Sequence, residues 1–128
     1  MGNHTHNHLK GWKTKTKDYL NNISQASEHI DSTLFRPPYG RFKPKQHKAI
    51  KKAGFQTVMW SVLAIDWDKN VSQEQCLKNV ISNTKSGDIV VFHDSIKASK
   101  NMQYVLPRML KYFTEKGYEF KRIPELIQ

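Results

Sequence analysis

The chain has no run of eighteen apolar residues, so nothing in it reads as a transmembrane helix. No apolar segment near its start reads as an export signal. A single cysteine, Cys76, excludes an internal disulfide and leaves the redox compartment open. Acidic residues are scarce: 11 Asp and Glu stand against 21 Lys and Arg, a formal net charge of +10. Such a balance favours anionic partners: nucleic acid, a membrane surface or an acidic glycan. No compact Arg/Lys stripe with interleaved aromatics accompanies it, so a lysine-rich solvated surface is the plainer reading. Repeats, low-complexity tracts and interdomain linkers are also missing. With 128 residues, 38% of them hydrophobic, the chain makes one domain at most and can bury a core.

What is present alternates between helix and strand signals. Residues 16–30 read as a helix with Leu20, Ile23 and Ala26/Ser27 on one face. Leu34-Phe35 is a short strand stopped by Arg36-Pro37-Pro38-Tyr39-Gly40. Pro44 suits the first turn of a helix running to Ala53, with Gly54 as its C-cap. Residues 55–60 are rich in strand formers, and residues 63–70 read as a loop. Ser72 and Gln75 make a capping box for a helix to about Thr84, closed by Ser86-Gly87. Residues 88–92 form a continuous apolar strand of the parallel-sheet kind. Residues 101–116 are a last helix interrupted by Pro107 and capped by Gly117, and residues 119–123 a final strand. The alternation predicts an α/β fold with parallel strands, and each polar constellation falls at the C-terminal end of a strand.

Four constellations carry chemistry. His4 and His8, four residues apart, can face one cation from a helical turn or a tight loop. Imidazole suits zinc, and also cobalt or nickel. Chance or an affinity tag is the alternative, although Asn and Thr interrupt this cluster as they do not interrupt tags. Arg36 can aim a guanidinium from a proline-stiffened loop at an anion, and the Tyr39 N–H can serve as an oxyanion donor; an ordinary strand-ending turn is the alternative. Asp66 can orient a histidine while Trp67 walls an apolar pocket. His93, after an apolar strand, is placed as a general acid or base, or else is a core histidine bonded to Asp94 or Ser95.

Together these residues resemble the polysaccharide deacetylase family, the NodB-homology domains of carbohydrate esterase family 4. The family's His-Ser/Thr-x-x-His motif is matched by His4-Thr5-His6-Asn7-His8, its Arg-x-Pro-Tyr motif by Arg36-Pro37-Pro38-Tyr39, and its Leu-x-His motif by Val91-Phe92-His93. Its Asp-x-x-Asp-Trp motif is met in part by Leu63-Ala64-Ile65-Asp66-Trp67. The resemblance implies an irregular (β/α) barrel. It implies His4 and His8 as metal ligands with His6 at a variable position, Arg36 orienting a catalytic base, and the Tyr39 amide holding the oxyanion. It makes His93 the general acid and lines the acetyl pocket with Val91. It implies hydrolysis of the acetamide of an N-acetylated sugar in a bacterial cell-envelope or extracellular setting. The cofactor would be a divalent metal, zinc first. The glycan substrate would be peptidoglycan-like, with chitin oligomers and O-acetylated xylan as alternatives.

Two departures shape the expectations. Leu63 stands where the family has an aspartate that tunes the histidine matched by His93, leaving Asp66 or Asp94 as substitutes. The family's first motif, a Thr-Phe-Asp-Asp-Gly type that supplies the catalytic base and third metal ligand, has no counterpart before His4. The chain is therefore expected to be the C-terminal part of the domain, N-terminally truncated over residues 1–128, with weak metal binding and little activity alone. An exposed sheet edge is expected to favour dimerisation. A non-catalytic glycan-binding relative is the second hypothesis. A basic nucleic-acid-binding domain, supported by charge alone, ranks third, and no nucleic-acid partner is expected.

Overall fold

A computed structural model of the chain describes residues 1–124. They divide into two compact units, one built on Met1–Met59 and the other on Trp60–Arg122. Both units have the same plan: parallel strands with helices packed on them.

In the first unit, α1 (Thr16–Ser27) buries Tyr19, Ile23 and Ala26, a stripe at spacings of four and three in which Tyr19 takes the buried place expected of Leu20, itself part-buried. Strand β1 (Leu34–Phe35) pairs in parallel with β2 (Gln56–Thr57), Leu34 opposite Gln56 and Phe35 opposite Thr57. Asn3 adds a parallel bridge to Phe35. Helix α2 (Pro44–Lys52) starts with proline at its first position and ends at Ala53, with Gly54 left-handed (φ 89°) behind it. The core is Tyr19, Ile23, Phe35 and Ile50, flanked by Leu9, Leu20, Phe42 and Phe55. Buried Gln46 ties α2 to the chain after the histidines, its amide donating to the carbonyls of Gly11 (2.8 Å) and Thr14 (3.1 Å).

In the second unit, β3 (Val62–Leu63) pairs in parallel with β4 (Val90–Val91). Helix α3 (Gln73–Asn83) opens on Ser72, whose hydroxyl accepts from the Gln75 N–H while the Gln75 side chain accepts from Ser72 N–H. The expected capping box is present. Cys76 and Val80 of α3 meet Val105, Met109 and Phe113 of α4 (Ile96–Glu115) over Ala64.

Five expectations need correction. Residues 119–123 form no strand: they lack a ladder neighbour among the described residues, and Phe120 is half exposed. The last helix starts at Ile96 rather than at residue 101, after Ser95. It also runs unbroken through Pro107. That proline is exposed, so the carbonyl it leaves unpaired is on the solvent side while Val105, Met109 and Phe113 anchor the other face. Leu63, expected in a loop, belongs to β3, and Asp88, expected in a strand, caps a turn by accepting from the Lys85 N–H at 2.6 Å.

Candidate active site

His4 and His8 sit on a tight loop rather than a helix. Asn3 anchors it. Its backbone bonds β1 through Asn3 N–H to the Leu34 carbonyl (2.7 Å) and through Arg36 N–H to the Asn3 carbonyl (2.9 Å). Its buried amide donates to the Ile23 carbonyl (2.8 Å) and the Ser27 hydroxyl (3.0 Å), and accepts from the Thr5 N–H (3.0 Å). Asn7 and Asn22 clasp each other, the Asn7 N–H and the Asn22 amide each donating to the other residue's side-chain oxygen. The Thr5 hydroxyl accepts from Leu9 N–H (3.1 Å) and closes the loop.

This anchoring holds two residues in the left-handed region, Thr5 (φ 62°) and His8 (φ 52°). The other non-glycine residues with positive φ are Tyr39 (φ 60°) and Ile65 (φ 61°). All four lie inside the motif segments, and each conformation costs of order 1 kcal/mol or more. The His4 and His8 rings lie edge to face with centroids 4.9 Å apart, and His8 is 4.8 Å from the Tyr39 ring. His4 Nδ1 is 2.6 Å from the Arg36 carbonyl. A carbonyl only accepts, so Nδ1 carries the proton and Nε2 carries the lone pair of the ring. His6 turns elsewhere, its ring 6.3 Å from His29.

Catalytic zinc takes three protein ligands. Two converging imidazoles, one with its tautomer fixed, fit such an ion as part of a ligand set. Among the described residues no group of three or more His, Cys, Asp or Glu gathers around one point.

Arg36 leaves β1 beside them. Its Nε donates to the Val58 carbonyl and its Nη2 to the Met59 carbonyl, both at 3.1 Å, and partial burial lowers its pKa. The guanidinium thus holds the chain leaving β2. Buried Pro37 and Pro38 then force the turn in which Tyr39 is left-handed, with Gly40 N–H donating to the Pro37 carbonyl at 3.0 Å. Tyr39 itself is 53% exposed.

In the second unit, Asp66 and His93 come together. Asp66 is 1% exposed and spends both carboxylate oxygens on this one residue. Oδ1 accepts from His93 Nδ1 (2.8 Å) and Oδ2 accepts from the His93 backbone N–H (2.7 Å). Of the two carboxylates expected to stand in for an aspartate at Leu63, His93 pairs with Asp66, while Asp94 is exposed. The His93 side chain is 41% exposed, so it is not a core histidine. Trp67 stands edge-on to its ring at 4.7 Å. Val91 is part-buried on β4, two residues before His93. Below Asp66, buried Cys76 donates to the Ala64 carbonyl (3.0 Å); burial first, and then the charge of Asp66, push its thiol up to about 11.

The sequence pointed to the histidines, Arg36, Tyr39, Asp66 and His93, but not to Asn3. An asparagine beside a histidine carries no signal of its own; only the β1 bridge and the α1 carbonyl reveal its role.

Known proteins resemble the chain in sequence and in fold. Residues 1–58 match the family model described as polysaccharide deacetylase. A peptidoglycan-N-acetylglucosamine deacetylase of Bacillus cereus is 33% identical over all of this chain and 63% of its own length. The crystal structure of a peptidoglycan N-acetylglucosamine deacetylase superposes with a TM-score of 0.86 at 28% identity, covering 94% of this chain and 59% of that one. A carbohydrate esterase family 4 pseudoenzyme from Bacillus anthracis superposes with a TM-score of 0.77 at 26% identity, covering 92% of this chain and 42% of that one. The chain thus spans less than two thirds of the length of each. Its fold is the α/β fold of the (β/α)-barrel deacetylases. The motif loops, the parallel strand pairs and these superpositions agree in making the chain similar to the polysaccharide deacetylases, with the family match itself on residues 1–58.

Proposed function

We propose that this chain is part of a metal-dependent carbohydrate deacetylase that removes acetyl groups from N-acetylated sugars of a peptidoglycan- or chitin-like glycan. The Asp66–His93 pair carries the reading. A buried carboxylate holding Nδ1–H and the backbone of a part-exposed histidine fixes the ring and turns Nε2 outward. From Nε2 a proton passes to the sugar nitrogen as water adds to the acetyl carbonyl and the C–N bond breaks. Acetate leaves and the amine stays on the sugar. Trp67 keeps the ring from swinging, and Val91 lines the pocket for the acetyl methyl.

His4 and His8 would hold a divalent cation, zinc first and cobalt or nickel as alternatives, with a third ligand beyond this pair. When bound, it supplies Lewis-acid polarisation of the carbonyl and activation of water. The Tyr39 N–H would donate to the oxyanion. Arg36 acts as a positioning residue through the carbonyls of Val58 and Met59. With two ligands of three, the chain by itself binds metal weakly and turns over slowly. The glycan reading places its action at the cell envelope or outside the cell. No helix among the described residues is long and apolar enough to cross a membrane. The strand edge at Asn3, bonded on one side to β1, is the proposed route to dimers.

A second reading, a glycan-binding relative without catalysis, is favoured by Leu63 and by the superposition on a pseudoenzyme. Acetate release from chitin oligomers and peptidoglycan strands, with zinc supplied, separates the two. The enzyme reading expects slow zinc-dependent release that falls to background in His93→Ala while glycan binding persists. Binding with no zinc-dependent release supports the second reading. Neither binding nor release refutes both.

A further inference from the structure

The positive charge is concentrated in the first unit. Residues 1–59 hold eleven Lys and Arg against three acidic residues, Asp18, Glu28 and Asp31. Two of these cations are seated on aromatic rings beside the histidine pair. Arg41 lies with its guanidinium carbon 4.9 Å from the Trp12 ring centre, and Lys10 Nζ is 5.5 Å from that of Tyr39. Trp12 and Tyr39 meet edge to face at 5.6 Å, and Tyr39 in turn meets His8. The result is one continuous row: His4, His8, Tyr39, Trp12, Arg41, with Lys10 above Tyr39.

The chemistry of this row is specific. Arg41 and Lys10 are exposed, and neither has a carboxylate partner among the described residues. Seating on a ring holds each cation in place while leaving its N–H groups available. No acidic residue occurs between Asp31 and Asp66, so none in this stretch competes for them. A half-exposed tyrosine and a part-exposed tryptophan offer apolar surface of the kind that packs on a sugar ring. Arg41 is the member of the row suited to a carboxylate, which a guanidinium binds through two parallel hydrogen bonds.

We propose that Lys10, Trp12, Tyr39 and Arg41 form a subsite for a sugar that carries a carboxylate, next to the sugar that meets the histidine pair. The subsite makes the first unit selective for acidic glycans, those bearing a lactyl ether or a uronic acid, over neutral chitin oligomers of equal length. It rests on the reading of the chain as a glycan deacetylase and extends it to the neighbouring residue of the strand.

The test is titration of the whole chain at low salt, by calorimetry or amide NMR shifts. The probes are a peptide-free glycan of alternating N-acetylglucosamine and N-acetylmuramic acid, the same glycan with its carboxylates reduced to alcohols, a neutral chitin oligomer, and an oligouronate. The native acidic glycan is expected to bind roughly tenfold tighter than its reduced form, as charge-assisted hydrogen bonds allow. Arg41→Gln and Lys10→Gln together should abolish that preference and leave chitin binding unchanged. Both side chains are exposed, so these variants keep the fold. An oligouronate that binds as tightly, with the same dependence on Arg41, supports the site and assigns it to the carboxylate in either setting. Equal binding of native and reduced glycan overturns the subsite while chitin binding keeps the deacetylase reading alive. A preference that survives both substitutions also overturns it. No binding of any glycan overturns the subsite and the glycan reading together.

Discussion

Asn3→Ala should damage the histidine loop more than any surface change of similar size. Asn3 is 1% exposed and its side chain makes three hydrogen bonds: to the Ile23 carbonyl, to the Ser27 hydroxyl and from the Thr5 N–H. Alanine removes all three. The Ile23 carbonyl keeps a bond from the Ser27 hydroxyl at 3.1 Å, so it is not orphaned. The Thr5 N–H loses its acceptor in a residue already at φ 62°. Net bonds of about 1 kcal/mol each, plus the small void, give a loss of about 2–4 kcal/mol. Hydrogen exchange of the α1 amides reads this locally, because α1 carries two of the partners. Protection there should fall by a factor of about 30 to 1,000, the same free energy expressed as an equilibrium constant. Ser27→Ala, which removes one partner, should cost less than about 1 kcal/mol. A change below about 0.5 kcal/mol in Asn3→Ala would show that the loop is held by other means and refute the reasoning.

Other outcomes follow from single groups. Tyr19 is fully buried in the first core, its hydroxyl has no hydrogen-bond partner among the described residues, and burial pushes its phenol up to about 12. Tyr19→Phe should therefore keep or raise thermal stability, by up to about 1 kcal/mol, and a loss above that figure would reveal a hidden partner. The Cys76 thiol, pushed from 9.0 to about 11, favours the neutral form in the folded state. Its contribution to stability is present below pH 9 and is lost as the pH rises toward 11. A thiol reagent at pH 8 should label it only on unfolding, and rapid labelling of the native chain would contradict its burial. Asp66→Asn leaves one acceptor oxygen for two donors, the His93 Nδ1–H and its backbone N–H, and sets an NH2 donor where the other oxygen was, so the ring 15N shifts should report a change of tautomer; unchanged shifts would sever the proposed pairing.

Local chemistry made much of the fold legible. Pro44, Ser72 with Gln75, Gly54 and Gly117 mark helix ends through effects confined to a few residues, and those ends fall where the chain chemistry puts them. Strand 34–35 was bounded in advance by two prolines. What failed needed tertiary partners. Residues 119–123 have strand-like composition but no neighbouring ladder among the described residues, and Pro107 breaks a helix only where its lost bond is buried. The site followed the same division. Spacing brings out His4 with His8, whose rings meet, but leaves His93 with Asp66 or Asp94, and the fold pairs it with Asp66. The row of Trp12, Tyr39 and Arg41 was invisible because its members are 27 and 29 positions from Trp12 in the chain. A search for a contiguous basic-aromatic stripe cannot find residues that only a turn and a loop bring together.

The central claim is that the His4–His8 pair is a metal site, and cobalt titration tests it most directly. Cobalt stands in for zinc and its visible absorption reports nitrogen ligation. The native chain should bind weakly with bands that appear on titration, and both His4→Ala and His8→Ala should weaken binding by tenfold or more, on the order of the loss of one ligand. His6→Ala, whose ring lies toward His29, should bind as the native chain does. Equal metal binding in the native chain, His4→Ala and His8→Ala would contradict the account.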